Sequence, residues 1–179
     1  MSEDPQHETG TGSEEDRISQ LESRLRRLEA RDQVRHLKMR YAQLCDSGYP
    51  ADELAELFLP DAVWDGGETL GRYEGQSAIR EFYRNSSARV PWALHYTVAG
   101  DIEVDEAGER ATATWYLWQP MIRKGEPTWL MGVYEDIYVR TMDGWRFAHV
   151  SLHAKRLVGV FEPWQNAGSE SEEKMEEGP

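Results

Sequence analysis

From Trp92 onward the chain reads as four long strand segments, 92–104, 110–121, 128–140 and 145–158, divided by three short turn signals. The dividers are Asp105-Glu106-Ala107-Gly108, Lys124-Gly125-Glu126-Pro127 and Met142-Asp143-Gly144, and Asp-Gly between hydrophobic runs is a strong hairpin signal. Links this short join antiparallel neighbours, because a parallel pair needs a crossover of a dozen or more residues. The second half of the chain is therefore expected to be an antiparallel meander. Several strands carry large residues on both faces. In 110–121, Trp115 and Leu117 share one side, and Tyr116 and Trp118 the other. A sheet with one side in water does not read this way. One face is expected to meet helices, and the other a second subunit or the far wall of a cone.

The helices come from the first half. Ile18, Leu21, Leu25 and Leu28 are spaced 3, 4 and 3, a stripe of coiled-coil type flanked by Glu and Arg. It covers about two heptads, too few for a stable coiled coil alone. Val34, Leu37, Tyr41 and Leu44 form a second stripe out of phase with the first. A break near Ala30-Arg31-Asp32-Gln33, with Asp32 as cap, predicts a leading helix over 15–30 and a core helix over 32–46. The leader is expected to pack on the body or on another subunit. Ser47-Gly48-Tyr49-Pro50 ends the core helix. Residues 51–59 read as a short amphipathic helix stopped by Pro60-Asp61, 62–64 as a short strand and 76–86 as another helix. Helices followed by a long meander argue for an α+β fold, a curved antiparallel sheet wrapped over N-terminal helices and preceded by an extra helix.

At 179 residues the chain is long enough for one domain with a sizeable core. The net charge of −13 belongs to the ends. The first 16 residues hold six acids and no Lys or Arg, and 165–179 hold five acids against one Lys, which leaves −3 for 17–164. Residues 1–14 and 163–179 are expected to be a disordered acidic head and tail around a domain at 31–162. Without a basic patch no nucleic-acid partner is expected, and without a long apolar run no membrane span. The acidic start does not read as a secretory signal, and Cys45 is the only cysteine, so the chain fits a reducing cytoplasm. No zinc-type Cys/His spacing and no phosphate-binding glycine motif occurs, so neither metal nor cofactor is expected.

The stretch Trp92-Ala93-Leu94-His95-Tyr96-Thr97-Val98-Ala99 carries one histidine within a strand pattern. Alternation sets Trp92, Leu94, Tyr96 and Val98 on a bulky face that reads as core. It sets His95 among Ala93, Thr97 and Ala99, where small neighbours mean close packing or room for something that is not protein.

Seven segments in order then show a resemblance: the Arg31-Asp32 start, a helix that carries Arg40-Tyr41 and ends at Asp46, ELAELFLPDAVWDGG, GRYEGQSAIREFY, ALHYTVAG, TATWYLW and DGWRFAHV. Together they closely resemble the SnoaL-like branch of the nuclear-transport-factor-2-like superfamily over about residues 30–161. Within it the chain is most similar to bile-acid dehydratases and hexachlorocyclohexane dehydrochlorinases, with scytalone dehydratase more distant. The resemblance implies a cone-shaped α+β barrel with a deep pocket, a histidine base at His95, a paired aspartate at Asp46 and a pocket tyrosine at Tyr41. Two positions depart from the bile-acid dehydratases. The place near Trp118-Gln119 has no acid, and only Lys155 or Arg156 stands where they carry a late arginine.

A dyad of this kind removes a proton beside a carbonyl or beta to a leaving group, and expulsion of water or halide leaves a double bond. A phenol such as Tyr41 assists a developing oxyanion or a leaving hydroxyl. On a regular helix Tyr41 and Asp46 point about 140° apart, so they converge only if the helix ends before Asp46. The expected function is a cofactor-independent lyase of dehydratase type on a hydrophobic alicyclic or aromatic substrate, such as a steroid or polyketide. An isomerase or cyclase on an enone would use the same residues, and a ligand-binding or partner subunit without turnover is the third reading. Seven Trp and eight Tyr supply a thick aromatic core or a pocket for a flat ligand. Trp64, Trp92, Trp115, Trp118 and Trp129, with Tyr116, His149 and His153, are the candidate substrate contacts. A homodimer or homotrimer is expected, because sheet faces this aromatic need covering.

Overall fold

The computed structural model describes residues 13–161, so the expected acidic head and tail lie almost wholly outside the described residues. The chain enters through one unbroken 33-residue helix, α1 (Glu14–Asp46), whose Ser13 side chain accepts from the Asp16 N–H while the Asp16 carboxylate accepts from the Ser13 N–H. This reciprocal cap fixes the helix start. The expected break at residues 30–33 does not occur. Asp32 instead binds Arg35 one turn on, 3.4 Å away, so its carboxylate is satisfied on the helix surface rather than capping a new one. Ala30 and Val34 are fully buried and carry the helix onto the body.

Short elements follow: α2 (Ala51–Glu56), β1 (Phe58–Asp65), α3 (Gly67–Leu70), β2 (Arg72–Glu74), α4 (Gln76–Arg84) and α5 (Ser86–Arg89). Phe58 and Leu59, expected in a helix, begin β1 and so extend the sheet. Then come β3 (Trp92–Ala93), β4 (Tyr96–Val104), β5 (Arg110–Arg123), β6 (Glu126–Thr141) and β7 (Gly144–Gly159). The expected meander is present, with β4–β5, β5–β6 and β6–β7 antiparallel. The sheet order is β2-β1-β7-β6-β5-β3, with β4 also on β5, and β1 runs parallel to β7. The sheet is curved and does not close. The β5–β6 turn has positive φ at both Lys124 (54°) and Gly125 (81°), as a tight hairpin with the twist of the strands requires.

The core lies between α1 and the concave face. Tyr41, Leu44 and Cys45 of α1 meet Phe58, Tyr83, Trp115, Tyr134 and Phe147. Alternation holds along β5, with Trp115, Leu117 and Met121 buried and Tyr116 and Trp118 exposed. On the stretch around His95 the expected faces are reversed. Trp92, Leu94, Tyr96 and Val98 are exposed, Ala93 is buried, and His95 and Thr97 turn inward. The reason is that α1 covers only the concave side, where Thr97 reaches Met39, and small residues leave room there. The strand is also interrupted at Leu94–His95, which separates β3 from β4. No helix of the described residues is long and apolar enough to cross a membrane.

Candidate active site

Asp46 is the last residue of α1, and His95 lies in the interruption between β3 and β4, 49 residues later. Asp46 Oδ1 accepts from the His95 backbone N–H at 2.9 Å and lies 2.7 Å from ring Nδ1. The backbone bond replaces a ladder bond that the broken strand cannot make, so one carboxylate oxygen fixes both the turn and the ring. With Nδ1–H donating to Asp46, Nε2 is left as the acceptor; this tautomer follows from the hydrogen-bond network. The His95 side chain is 5% exposed and that of Asp46 26%. The imidazole is thus shielded while the carboxylate keeps partial contact with water.

The ring is held edge-on by Tyr49, with centroids 6.3 Å apart and planes at 79°. Tyr49 follows Gly48, and both adopt positive φ, 61° and 90° respectively. For a tyrosine this conformation costs on the order of 1–3 kcal/mol. The turn closes α1 through Tyr49 N–H to Leu44 O at 3.2 Å. The outcome is a tyrosine carried back over the helix end, between His95 and Tyr83, on whose ring it stacks at 6.4 Å.

His95 lines a cavity of about 170 Å³ shared with Tyr41, Tyr49, Trp64, Tyr83 and Gln119, among others. Within its lining, Tyr41 Oη accepts from Trp64 Nε1–H at 3.2 Å and from the Tyr83 hydroxyl at 3.0 Å. A phenol oxygen that accepts twice keeps its own proton to donate. Burial pushes the Tyr41 and Tyr83 phenols well above the ordinary tyrosine range, so both stay protonated. Burial and then the nearby Asp46 charge push the Cys45 thiol up in the same way. Arg89 and Arg123 also line the cavity, and the Arg89 guanidinium is anchored by the Phe82 carbonyl and Ser86 Oγ, both at 3.1 Å.

The candidate contacts separate into two groups. Trp64 lines the cavity; Trp115 does not, being packed in the core, where its Nε1–H donates to Tyr138 Oη. Trp92, Tyr116, Trp118 and Trp129 do not reach the cavity: Tyr116 and Trp118 point to the opposite face of the sheet, and Trp118 stacks on Tyr96 and meets Trp129 edge-on there. His149 and His153 do not line the cavity either. The pairing of β6 with β7 shifts between Ile137 and Tyr138, so Trp145 and Phe147 face the core while His153 turns outward to Glu135, 3.3 Å away, and His149 borders an outer groove. Helix α1 does not end before Asp46, so Tyr41 and Asp46 do not converge directly. Tyr41 lines the cavity, and Asp46, which does not, is joined to it through the His95 ring.

Tyr49, Tyr83, Arg89 and Arg123 are cavity residues that sequence reasoning passed over, and Gln119, noted there only as a place without an acid, lines the cavity too. Gln119 had a legible signal, since alternation puts it on the buried side with Trp115 and Leu117. Tyr49 had none, because its place depends on a left-handed turn. Among the described residues no cluster of three or more His, Cys, Asp or Glu is placed to hold a metal.

No curated protein matches the sequence at a significant level. Solved structures do. A provisionally assigned aromatic ring hydroxylase from Novosphingobium aromaticivorans is 27% identical, with a TM-score of 0.68 over 74% of this chain and 94% of that one. A provisionally assigned scytalone dehydratase from the same organism is 18% identical, with a TM-score of 0.66 over 80% and 93%. The hexachlorocyclohexane dehydrochlorinase LinA-type3 from Novosphingobium barchaimii is 17% identical, with a TM-score of 0.66 over 78% and 95%. The last two likenesses concern the fold. The model of the SnoaL-like domain matches residues 26–151, which takes in both Asp46 and His95 together with most of the sheet, and the chain belongs to that family within the nuclear-transport-factor-2-like superfamily.

Proposed function

We propose that the protein is a cofactor-independent lyase of dehydratase type, with His95 as the base. The observation that carries this is the Asp46–His95 pair, joined at 2.7 Å, with the ring bordering an aromatic cavity. Nε2 takes a proton from a substrate carbon, Asp46 balances the charge the ring acquires, the C–H electron pair forms the new double bond, and the imidazolium returns its proton to the leaving hydroxyl, which departs as water. Tyr41 donates its remaining hydrogen bond to the oxygen that gains charge. The family match and the dehydrochlorinase and dehydratase neighbours support an elimination or a related proton transfer.

The cavity volume of about 170 Å³ is close to the roughly 150 Å³ that holds benzene in an engineered core. It supports a substrate with a one-ring or two-ring body over a full steroid. Arg89 and Arg123 favour a substrate with an oxygen function at one end. An isomerase or cyclase on an enone uses the same base. Incubation with a panel of cyclic β-hydroxy ketones and the corresponding β,γ-enones, read by chromatography coupled to mass spectrometry, separates the two. A product lighter by one water supports the lyase, and a product of unchanged mass supports the isomerase. No conversion of any member, with each one shown to bind, favours a subunit that binds without turnover. The exposed aromatic outer face, from Trp92 to Trp118, supports a homo-oligomer.

A further inference from the structure

The leading part of α1 is exposed at nearly every position before Ala30, and its apolar stripe is not covered by its own domain. Ile18, Leu21, Leu25 and Leu28 are 50%, 61%, 55% and 60% exposed. The unbroken helix explains this. The residues that α1 buries against the body, Ala30, Val34, Lys38, Tyr41 and Cys45, lie about 160° around the axis from the leading stripe on a regular helix. A break at residues 30–33 would have let the leader rotate its stripe onto the body. Without one, that stripe faces away.

The flanking charges indicate what covers it. With Ile18 and Leu25 as a positions and Leu21 and Leu28 as d positions, Glu15, Glu22 and Glu29 fall at every e, and Arg17, Arg24 and Arg31 at every g. In a parallel pair of identical helices each g faces the e of the next heptad on the partner. Arg17 then meets Glu22 of the second copy and Arg24 meets its Glu29, on both sides of the seam. In an antiparallel pair g faces g and e faces e, which sets Arg against Arg and Glu against Glu. We propose that the leading helix pairs in parallel with the same helix of a second copy of this chain. Four apolar layers form the seam, and like-charge repulsion excludes the antiparallel arrangement. After Leu28 the same side of the helix carries Asp32 and His36, so pairing ends where the domain begins. The contact is distinct from the outer sheet face and does not depend on the catalytic reading.

Disulfide trapping in the full chain tests this. Under mild oxidation Leu28→Cys alone and Ile18→Cys alone should each give a linked pair, and their mixture should give no linked Ile18→Cys/Leu28→Cys hybrid. The parent chain is the control, since its only cysteine, Cys45, is buried. In the Leu28→Cys background, Glu22→Arg/Glu29→Arg and Arg17→Glu/Arg24→Glu should each weaken linking by about tenfold, and mixing the two should restore it. All these sites are exposed, and an unchanged circular dichroism spectrum verifies folding. A hybrid disulfide without the single-variant pairs, no linked pair at all, or linking unaffected by either charge reversal would overturn the proposal.

Discussion

Lys38 is the most demanding residue of the fold. Its ammonium is fully buried, 2.8 Å from Asp136 Oδ2, and both side chains are 0% exposed. Asp136 Oδ2 also accepts from Tyr138 Oη at 2.8 Å, while Oδ1 has no hydrogen-bond partner among the described residues. The Lys38 Nζ sits 3.5 Å from the Tyr134 ring centroid, a cation–π contact. Burial pulls the ammonium below the usual lysine range and pushes the carboxyl above the usual aspartate range, and each charge offsets part of the other's displacement. Lys38→Met keeps the volume but strands Asp136. Breaking a buried pair from one side costs about 3–5 kcal/mol, equivalent to a Tm drop of roughly 6–20 °C for a chain of this size. Lys38→Met/Asp136→Asn removes both charges and retains an acceptor for Tyr138, so it should be more stable than the single variant. The single variant should also respond to pH. Without Lys38 the carboxyl rises further above its unfolded value of 3.8. A group raised in the folded state contributes stability that is present below the unfolded value and lost as pH rises through the folded one. The deficit should therefore be largest at neutral pH and shrink on acidification. Urea denaturation followed by tryptophan fluorescence at neutral and mildly acid pH measures both effects. A loss under about 1 kcal/mol for Lys38→Met, or a double variant less stable than the single, would refute the reasoning.

Other outcomes follow from the same geometry. Asp46→Asn should lower turnover by about 10²–10⁴-fold, because an amide neither enforces the Nδ1–H tautomer nor balances an imidazolium; steady-state kinetics on an active substrate check it. Cys45, buried with its thiol pushed up, should resist thiol reagents at mildly alkaline pH in the folded protein and react fully in denaturant, as a colorimetric thiol assay would show. Asp65 is held below the usual carboxylate range, first by the Gly67 N–H and then by Arg72. Its contribution is present above the unfolded value of 3.8 and lost as pH falls through the folded one. The Tm advantage of wild type over Asp65→Asn should accordingly fade in acid, measured by thermal melts across that range.

The meander was legible because its turns are written in Asp-Gly and Lys-Gly, and along β5 burial alternates strictly from Ala111 to Met121, as a strand requires, although large residues stand on both faces. Alternation alone does not say which face is inside. The bulky side of β4 read as core, yet α1 occupies the other side and the bulky residues face out. The 30–33 break looked real because Asp32 is a good cap. A helix whose buried side reappears at Ala30 and Val34 has no reason to stop there. The histidines of β7 were misplaced by a register shift that no residue type announces. His95 and Asp46 are 49 residues apart, and nothing in their local sequences joins them. The family resemblance did, and a carboxylate at a helix end with a histidine at a strand break gives it a physical basis.

The central claim is that His95 is the base. The most direct measurement is the ratio of kcat/KM for wild type and His95→Ala on the best substrate of the panel, with the melting temperature recorded alongside. A general base contributes about 10²–10⁴-fold, so a loss of that size in a folded variant is expected. A His95→Ala protein that keeps its rate within about tenfold of wild type would contradict the claim.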